Sequence, residues 1–337
     1  MATRVAINGF GRIGRLVFRH LIEGENEDLQ VIALNDIAPL DNLAYLFRHD
    51  SVHSEPGLEI DAADDALRWG DRTVRFTSVR DPGELPWKEM EVELVIEASG
   101  VFTRREQVAK HLDAGAERVI ITAPGKGADL TVCMGVNHER YDPDQHRVLS
   151  NASCTTNCLA PVAMVLDEEF GIESGVLTAV HAYTSSQSIV DGPAKKWRRG
   201  RAASSSIVPT TTGAAVATTE VLPELEGKLD GMAIRVPVPD GSICDFVIQS
   251  EQPTTKEAVN EAFRKAAASE RLADILGVTD EELVSSDIIG STYSALVDAP
   301  STMVVREHTI KVLAWYDNEW GYAKRVADLV AHVARKR

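Results

Sequence analysis

Lysine, cysteine and long apolar runs are all scarce in this chain of 337 residues, which has only eleven lysines and four cysteines. No run approaches the roughly 18 apolar residues of a membrane-spanning helix, so we expect no transmembrane segment. Residues 1–7 lack the charged leader and long apolar region of a secretory signal. These absences predict a cytoplasmic protein that is not bound to a membrane.

The four cysteines, Cys133, Cys154, Cys158 and Cys244, are too few for a disulfide framework and are expected to be reduced thiols. A structural zinc site needs about four Cys, His or carboxylate ligands. No second group of Cys or His accompanies the Cys154–Cys158 pair at suitable spacing. We therefore predict no metal, and a catalytic thiol becomes the better interpretation.

Basic residues are outnumbered, 35 against 51 acidic ones, which leaves a net charge of −16. A nucleic-acid-binding surface needs a basic field, so this balance argues against one. Acid excess with few lysines is typical of a surface adapted to high salt, which makes a halophilic protein one interpretation. A generic acidic bacterial enzyme is the other, and the composition leaves both open.

The length fits two domains, by the rough guide of about 150 residues per domain. The first 122 residues alternate short apolar strands with amphipathic helices, a pattern that favours a parallel sheet with crossover helices. The predicted strands are 5–8, 29–34, 94–98 and 119–122, and the predicted helices are 12–23 and 103–114.

Beyond about residue 150 the strands become longer and alternate apolar with polar residues. The predicted strands are 175–183, 232–236, 242–249 and 311–316, with helices at 157–170, 256–268 and 319–337. The fold class is therefore predicted as α/β: a Rossmann-type parallel-sheet domain followed by an α+β catalytic domain with a mostly antiparallel sheet. We place a dinucleotide-binding domain at 1–151, a catalytic domain at 152–318, and a C-terminal helix at 319–337 that packs back on the first domain.

A G-x-G-x-x-G motif, formed by Gly9, Gly11 and Gly14, follows the first predicted strand and opens the first predicted helix. The first glycine allows the tight turn, the second lets the backbone approach a pyrophosphate, and the third lets helix and strand pack closely. The helix N-terminus adds free N–H groups for the anion. In this context the motif predicts a nicotinamide dinucleotide site.

The second predicted strand runs into Asp36, which lies 22 residues after Gly14. An acidic side chain at this point hydrogen-bonds the adenosine ribose and repels a 2′-phosphate, which favours NAD over NADP. The alternative interpretation of Asp36 is a turn residue ahead of Pro39.

The segment 150–161 places small polar residues before an apolar helical run, so Cys154 is expected close to a helix N-terminus. The dipole of that helix end would lower the pKa of the thiol from about 8.5 and favour the thiolate. Cys158 falls one helical turn later and is expected to be structural.

A cysteine nucleophile needs a base or a cation beside it. His181 is the best candidate among the nine histidines, because it stands at the end of a predicted strand, where α/β enzymes present catalytic groups.

The chain resembles phosphorylating glyceraldehyde-3-phosphate dehydrogenases over essentially its whole length. The resemblance rests on residues 8–15, 150–161, 181–187, 191–193, 209–215, 235–237 and 315–322. It implies an NAD-dependent enzyme of glycolysis and gluconeogenesis that converts D-glyceraldehyde 3-phosphate and inorganic phosphate to 1,3-bisphosphoglycerate. Cys154 would carry the thioester, and His181 would act as the base.

The resemblance also implies the binding residues. Arg235 and Thr184 would hold the substrate phosphate, and Ser153, Thr155, Thr212 and Gly213 the attacking phosphate. Asn318 would fix the nicotinamide carboxamide, and Tyr322 would pack beside the ring. Further cofactor contacts are expected at Arg12, Ile13, Ser99, Gly100 and Thr122, with Gly9, Gly11, Gly14 and Asp36.

A polar segment at 184–208 carries five basic residues, Lys195, Lys196, Arg198, Arg199 and Arg201. We interpret them as offsetting the repulsion between an acidic protein and anionic ligands, although a solvated charged loop is the alternative. In the family this loop borders the cofactor of a neighbouring subunit, so the resemblance implies a homotetramer. Ser186 stands where many members have Asp, and Ser99 where Thr is common.

The sequence also bears on related activities that use the same kind of thiol chemistry. Erythrose-4-phosphate dehydrogenases hydrolyse the thioester, but the segment 211–215 indicates a phosphate site. Semialdehyde dehydrogenases share the chemical logic but not these motifs, and Asp36 argues against an NADP-preferring biosynthetic form. A regulatory NAD-binding protein is disfavoured, because Cys154, His181 and Arg235 are all present.

Overall fold

The computed structural model describes residues 2–24 and 27–336. Within them the chain divides into two compact units. The first comprises residues up to Val132, His138–Ala152 and the residues from Ala323 onward, and the second comprises Cys133–Asn137 and Ser153–Tyr322. No helix in the described part of the chain is long and apolar enough to cross a membrane.

The first unit is built on one sheet flanked by helices. Its strands in chain order are β1 (Thr3–Asn8), β2 (Leu29–Asn35), β3 (Asp61–Ala63), β4 (Ala66–Trp69), β5 (Arg72–Thr77), β6 (Leu94–Glu97), β7 (Arg118–Ile121), β8 (Leu130–Thr131) and β9 (Val148–Ser150). Its helices are α1 (Arg12–Glu23), α2 (Leu40–Arg48) and α3 (Arg105–Asp113).

The order across this sheet is β3-β4-β5-β2-β1-β6-β7-β9-β8, and every pairing from β5 to β8 is parallel. Only the short β3–β4–β5 meander is antiparallel. The chain therefore moves outward from β1 in both directions, first to β2 and later to β6. Such a switch point opens a crevice at the carboxyl ends of the strands, where dinucleotides bind.

The apolar pattern explains why the central strand and the first helix are buried together. Val5, Ala6 and Ile7 of β1 are fully shielded from solvent. On α1, Gly14, Val17, Phe18 and Leu21 are buried at the i, i+3, i+4, i+7 spacing of an amphipathic helix. This packing fixes the turn between β1 and α1, which carries the glycine motif.

The second unit contains a second, mostly antiparallel sheet. Its strands are β10 (Ile172–Ala182), β11 (Val208–Thr211), β12 (Leu229–Val236), β13 (Ser242–Ser250), β14 (Leu276–Thr279), β15 (Ala295–Asp298), β16 (Met303–Val305) and β17 (Thr309–Tyr316). The helices are α4 (Cys154–Phe170), α5 (Ala214–Val221) and α6 (Lys256–Ala267), and α7 (Trp320–Arg335) follows β17.

The strand order here is β11-β12-β10-β13-β17-β15-β14, with β16 paired to β17. Strands β10, β12 and β17 all run in one direction, because β10 pairs parallel with β12 and antiparallel with β13, which pairs antiparallel with β17. Side chains alternate between the two faces, so His181 shares the buried face of β10 with Leu177 and Ala179. The carboxyl ends of these three strands thus present their last side chains together.

The predicted fold class is confirmed, and the predicted elements all exist, the helix at 12–23 with its predicted bounds and the others with bounds that differ by a few residues. The helix expected at 157–170 begins three residues earlier, because Ser153 caps it. The last helix, expected at 319–337, runs from Trp320 to Arg335, and Arg337 lies outside the described residues. The short strands β3–β5, β8, β9, β11 and β14–β16 and the helices α2 and α5 were missed, since brief segments carry too little periodicity to be recognised.

Candidate active site

The glycine turn between β1 and α1 has the geometry that its sequence predicts. Gly9 has a φ of +94°, and a Cβ there would lie 2.4 Å from the backbone of Ser99. A Cβ on Gly14 would lie 2.0 Å from the carbonyl oxygen of Gly9, so only glycine permits the helix to pack this closely. A Cβ on Gly11 would meet nothing within 4 Å, which leaves that backbone open to a ligand.

Asp36 lies at the carboxyl end of β2 and faces the same turn. Its Oδ2 accepts a hydrogen bond from the amide of Phe10 at 2.7 Å, and its Oδ1 accepts one from the amide of Ala38 at 2.9 Å. A carboxylate accepts about four hydrogen bonds, so each oxygen retains capacity for a ribose hydroxyl. Asp36 thus organises the loop, as the turn interpretation expects, and it also lines the cavity described below.

Other predicted cofactor residues of the first unit have protein contacts of their own. Ser99 donates to Glu97 Oε1 through its hydroxyl at 2.5 Å, and Gly100 has a φ of +70°. Thr122 donates its hydroxyl to the carbonyl of Glu97 at 3.1 Å. Arg12 begins α1 and forms an ion pair with Asp50, which directs its guanidinium to a protein carboxylate.

A cavity of about 190 Å³ joins these elements. It is lined by Asn8, Gly9, Gly11, Asn35, Asp36, Ile37, Val79, Arg80, Ala98, Ser99, Val101 and Phe102. Its volume is below the roughly 300–1,000 Å³ of a full ligand pocket, so it suits one part of a dinucleotide, with the remainder outside. Gly100, Thr122, Arg12, Ile13 and Gly14 are outside this lining set.

In the second unit, Cys154 is the first residue of α4. The Ser153 hydroxyl caps the helix by accepting a hydrogen bond from the amide of Thr156 at 3.1 Å. Ala152, just before the cap, has a φ of +53°, a left-handed conformation that non-glycine residues rarely adopt. The sharp turn into α4 thus presents the thiol at the helix N-terminus, as the sequence predicts.

The Cys154 Sγ lies 3.4 Å from Nε2 of His181. On the other side of the ring, Nδ1 of His181 lies 2.7 Å from the carbonyl oxygen of Ala182. We assign the ring hydrogen to Nδ1, which donates to that carbonyl and leaves the lone pair of Nε2 directed at the thiol. His181 is therefore placed to accept the thiol proton.

Burial raises the pKa of the Cys154 thiol to about 11, against the opposing effects of Arg235 and of hydrogen bonds with Thr155. Burial, reinforced by the charge of Arg235, also lowers the pKa of His181 to about 3. The predicted lowering of the thiol pKa is therefore wrong in direction, because the loss of hydration outweighs the favourable charge of Arg235 and the hydrogen bonds with Thr155. Both shifts favour the neutral forms of the thiol and the imidazole.

Arg235 reaches this pair from the neighbouring strand. It is the register partner of His181 across β10 and β12. Its Nη1 donates to the carbonyl of Ala182 at 2.8 Å and lies 2.9 Å from Nδ1 of His181. Its Nε is shielded from solvent and has no hydrogen-bond partner among the described residues. This spare donor, next to the thiol, is suited to an anionic ligand.

Two further side chains complete the surroundings of the thiol. The hydroxyl of Thr155 lies 3.0 Å from the hydroxyl of Tyr316, the last residue of β17. The Tyr316 ring also packs edge-on against His181, with centroids 6.0 Å apart. Cys158 is fully buried, with its Sγ 3.7 Å from the carbonyl of Ala314, in agreement with a structural role.

The segment that follows β10 brings a second arginine to the predicted substrate-phosphate residues. The hydroxyls of Thr184 and Ser186 lie 2.8 Å apart, and Arg199 Nη1 donates to Ser186 Oγ at 3.2 Å. Arg199 Nε donates to Thr210 Oγ1 at 3.0 Å, which ties the segment to β11. Thr184 is thereby joined to Arg199 rather than left as an isolated hydroxyl.

The predicted inorganic-phosphate residues lie at two helix N-termini. Ser153 and Thr155 begin α4, whereas Thr212 and Gly213 precede α5. Thr212 Oγ1 accepts from the amide of Ala214 at 3.2 Å, and a Cβ on Gly213 would meet nothing within 4 Å. Open backbone and hydroxyl groups of this kind suit an anion.

Asn318 and Tyr322 lie beyond the end of β17 and belong to the second unit, whereas the glycine turn belongs to the first. Both are buried, at 5% exposure each. Asn318 Oδ1 accepts a hydrogen bond from Ser242 Oγ at 2.5 Å, which fixes the orientation of its amide.

Family models match both parts of the chain. A model of the glyceraldehyde 3-phosphate dehydrogenase NAD binding domain matches residues 3–105, and a model of the C-terminal domain of the same enzyme matches residues 153–318. The chain belongs to the glyceraldehyde 3-phosphate dehydrogenase family. The predicted family, the predicted NAD-dependent oxidoreductase class and NAD as the cofactor are thereby confirmed.

Full-length relatives agree with this assignment. The chain is 52% identical to the glyceraldehyde-3-phosphate dehydrogenase of Geobacillus stearothermophilus over 336 residues, which cover 100% of this chain and 99% of the relative. It is 49% identical to glyceraldehyde-3-phosphate dehydrogenase 2 of Bacillus subtilis, covering 98% of that protein. The Streptomyces coelicolor enzyme of the same name is 48% identical over the full length of both chains.

Two further residues, Arg199 and Tyr316, contact residues of the predicted site, although the sequence did not place them in the site. Arg199 was counted only among the basic residues of a loop, yet it contacts Ser186 and Thr210. Tyr316 was seen only as the end of a strand, yet it contacts Thr155. The alternating pattern of β17 could have placed Tyr316 on the buried face, but no local signal identifies its partner.

Proposed function

We propose that this protein oxidises D-glyceraldehyde 3-phosphate to 1,3-bisphosphoglycerate with NAD and inorganic phosphate, as a step of glycolysis and gluconeogenesis. The observation that carries the proposal is the contact of 3.4 Å between Cys154 Sγ and an unprotonated His181 Nε2. The pyrophosphate and adenosine ribose of the cofactor are assigned to the unit that contains the glycine turn, and the chemistry to the unit that contains Cys154.

The first step joins the thiol to the aldehyde. Cys154 Sγ bonds to the aldehyde carbon while the thiol proton passes through His181 Nε2 to the aldehyde oxygen, which gives a hemithioacetal. Transfer through His181 avoids a free thiolate, which burial makes costly, since the pKa of Cys154 is about 11. General acid–base catalysis of this kind contributes about 10²–10⁴-fold in rate.

The second step oxidises the hemithioacetal on Cys154. His181 Nε2 takes the hydroxyl proton as the hydride leaves the carbon, and a thioester remains. Bound NAD supplies the hydride acceptor. Gly9, Gly11, Gly14 and Asp36 would hold its pyrophosphate and adenosine ribose. Asn318 and Tyr322 would hold and face its nicotinamide ring.

The third step transfers the acyl group to phosphate. A phosphate oxygen attacks the thioester carbon, the C–S bond breaks, and the sulfur regains its proton from His181. Ser153, Thr155, Thr212 and Gly213 would hold this attacking phosphate. Arg235, Thr184 and, by its contacts, Arg199 would hold the phosphate of the substrate.

The test is NADH formation from glyceraldehyde 3-phosphate with and without inorganic phosphate, in NAD and in NADP. Phosphate-dependent turnover with NAD supports the proposal, and Thr212→Val should then raise the KM for phosphate. Turnover that does not depend on phosphate would indicate thioester hydrolysis and would contradict the assignment of Thr212 to phosphate binding. A preference for NADP would contradict the role of Asp36.

We further propose a homotetramer. Four apolar side chains of the segment 184–208 are largely exposed: Ile189, Val190, Trp197 and Ile207. Trp197 alone is 89% exposed, which is unfavourable for so large a side chain unless another subunit covers it. Sedimentation of the wild type should give four times the mass of the 337-residue chain, and Trp197→Glu should lower it. Exposed Tyr45 gives the control, Tyr45→Glu.

We also propose a cytoplasmic, salt-adapted enzyme. The four cysteines are free thiols, as in a reducing compartment, and the net charge is −16. In molar salt the Debye length falls to about 3 Å, so repulsion among these charges is screened. Thermal unfolding should therefore shift to higher temperature in molar potassium chloride, and full activity and stability in dilute buffer would contradict the adaptation.

A further inference from the structure

A continuous chain of buried side chains in the first unit leads from Trp87 to the wall of the cofactor pocket. Trp87 Nε1 donates to His111 Nδ1 at 2.9 Å. His111 Nε2 lies 3.0 Å from Oε2 of Glu97. Trp87 and His111 are completely shielded from solvent, and Glu97 is 2% exposed. None of the three takes part in the chemical steps described above.

The Trp87 indole fixes which atoms donate and which accept in this series of hydrogen bonds. An indole N–H is only a donor, so His111 Nδ1 must accept, and the ring hydrogen lies on Nε2. His111 Nε2 therefore donates to Glu97, and the ring is neutral. A residue at position 111 must accept at one end and donate at the other.

The Glu97 carboxylate is saturated by donors. Oε1 accepts from the amide of Ser99 at 2.9 Å and from its hydroxyl at 2.5 Å. Oε2 accepts from Asn8 Nδ2 at 2.6 Å as well as from His111. A carboxylate has about four acceptor positions, and these four donors use them all.

The pocket lining depends on this carboxylate. Asn8 Oδ1 in turn accepts from Asn35 Nδ2 at 2.7 Å, so the chain extends across β6, β1 and β2. Asn8, Asn35 and Ser99 all line the cofactor cavity. A buried carboxylate that loses a donor must move or admit water, because burying an unsatisfied charge is costly.

We propose that His111 is a positioning residue for NAD: it holds the Glu97 carboxylate so that Asn8 and Ser99 keep the shape of the cofactor pocket. His111 does not touch the ligand and acts only through Glu97. The inference rests on NAD as the cofactor, but not on the oxidation of any aldehyde.

The test compares His111→Gln with His111→Leu by calorimetric titration of NAD. Glutamine can accept from Trp87 and donate to Glu97, whereas leucine can do neither. We expect NAD to bind about tenfold more weakly to His111→Leu, as for a lost hydrogen bond to a charged group, and within about threefold of wild type to His111→Gln. At saturating NAD, kcat should stay within about twofold of wild type in both.

The control is His332→Leu, which removes a half-buried histidine of the same unit that contacts His138 and not the pocket. Iodoacetamide alkylation of Cys154, in the other unit, should be unchanged in every variant. Equal loss of NAD affinity in His111→Gln and His111→Leu, or no loss in either, would overturn the proposal.

Trp87→Phe covers the case in which His111→Leu does not fold. It keeps an aromatic ring in the buried site but removes the donor that fixes the direction of His111. NAD should bind several-fold more weakly to this variant, and unchanged affinity would contradict the proposal. Since the titration needs no aldehyde, a negative result here is distinct from failure of the proposed reaction.

Discussion

His181 and Arg235 are register partners on two parallel strands, and Arg235 Nη1 lies 2.9 Å from His181 Nδ1. The residues are 54 positions apart in sequence. The cation therefore lies beside both members of the reacting pair: its charge favours ionisation of Cys154 and disfavours protonation of His181. One arginine can thus tune both the base and the nucleophile, and in the proposed mechanism it would also hold the substrate phosphate.

His181→Asn should lower kcat by about 10²–10⁴-fold, because asparagine fills the site but cannot take a proton. The Kd for NAD should remain unchanged, since His181 is not among the residues assigned to cofactor binding. Steady-state NADH formation and NAD titration measure the two quantities. His308→Asn is the matched control, because the His308 ring lies in the same unit, with its Nδ1 3.0 Å from the carbonyl oxygen of Ser250. A kcat of His181→Asn within about tenfold of the wild-type kcat would show that water can replace His181 as the base.

Alkylation of Cys154 by iodoacetamide should accelerate as pH rises through the alkaline range, because burial raises the pKa of the thiol to about 11. Arg235→Leu should move the profile to still higher pH, because it removes the cation that favours the thiolate. The measurement is the rate of loss of activity, confirmed by mass spectrometry. A rate that is already at its plateau near neutral pH would instead indicate a stable thiolate–imidazolium pair.

His181 should make the folded state less stable in acid. Its pKa is about 3 in the folded protein and about 6.5 in the unfolded chain, so between these values the unfolded state binds more protons. The contribution of His181 is therefore fully present above about pH 6.5 and is lost progressively as the pH falls toward 3. Urea unfolding across this window should show a shallower pH slope for His181→Asn than for wild type, and an identical slope would contradict the shift.

Asp36→Asn should reduce the discrimination between NAD and NADP by about tenfold, because the change removes the charge that repels a 2′-phosphate. The amide oxygen of asparagine can still accept from Phe10 or Ala38, so the loop should persist. The ratio of kcat/KM for the two cofactors is the measurement. Asp41→Asn, at an exposed carboxylate that accepts from Asn42, is the matched control and should leave the ratio unchanged.

Local sequence identified the elements that carry the chemistry. The glycine spacing, the acidic residue after β2 and the small polar residues ahead of α4 each act within a few residues, so the sequence alone predicts the turn, Asp36 and the helix N-terminus. The structure agrees at each point: Gly9 has a φ of +94°, Asp36 faces the turn, and α4 begins at Cys154.

Contacts between distant elements were not predictable in this way. Thr155 and Tyr316 are 161 residues apart, and Trp87 and His111 are 24 residues apart. Their meeting depends on strand order and register, which follow from the packing of whole faces rather than from local pattern. Arg199 is similar, since nothing in its basic neighbourhood distinguishes it from Arg198 or Arg201.

By itself, the sequence determined which groups are available: a thiol at a helix N-terminus, a histidine at a strand end, a glycine turn and an acid for the ribose. Only the tertiary structure decided their ionisation. The helix dipole favours a thiolate at Cys154, but burial removes the hydration that a charge needs and raises the pKa of the thiol to about 11. The depth at which a residue lies is set by the whole fold, so the working form of the nucleophile is a property of the packing.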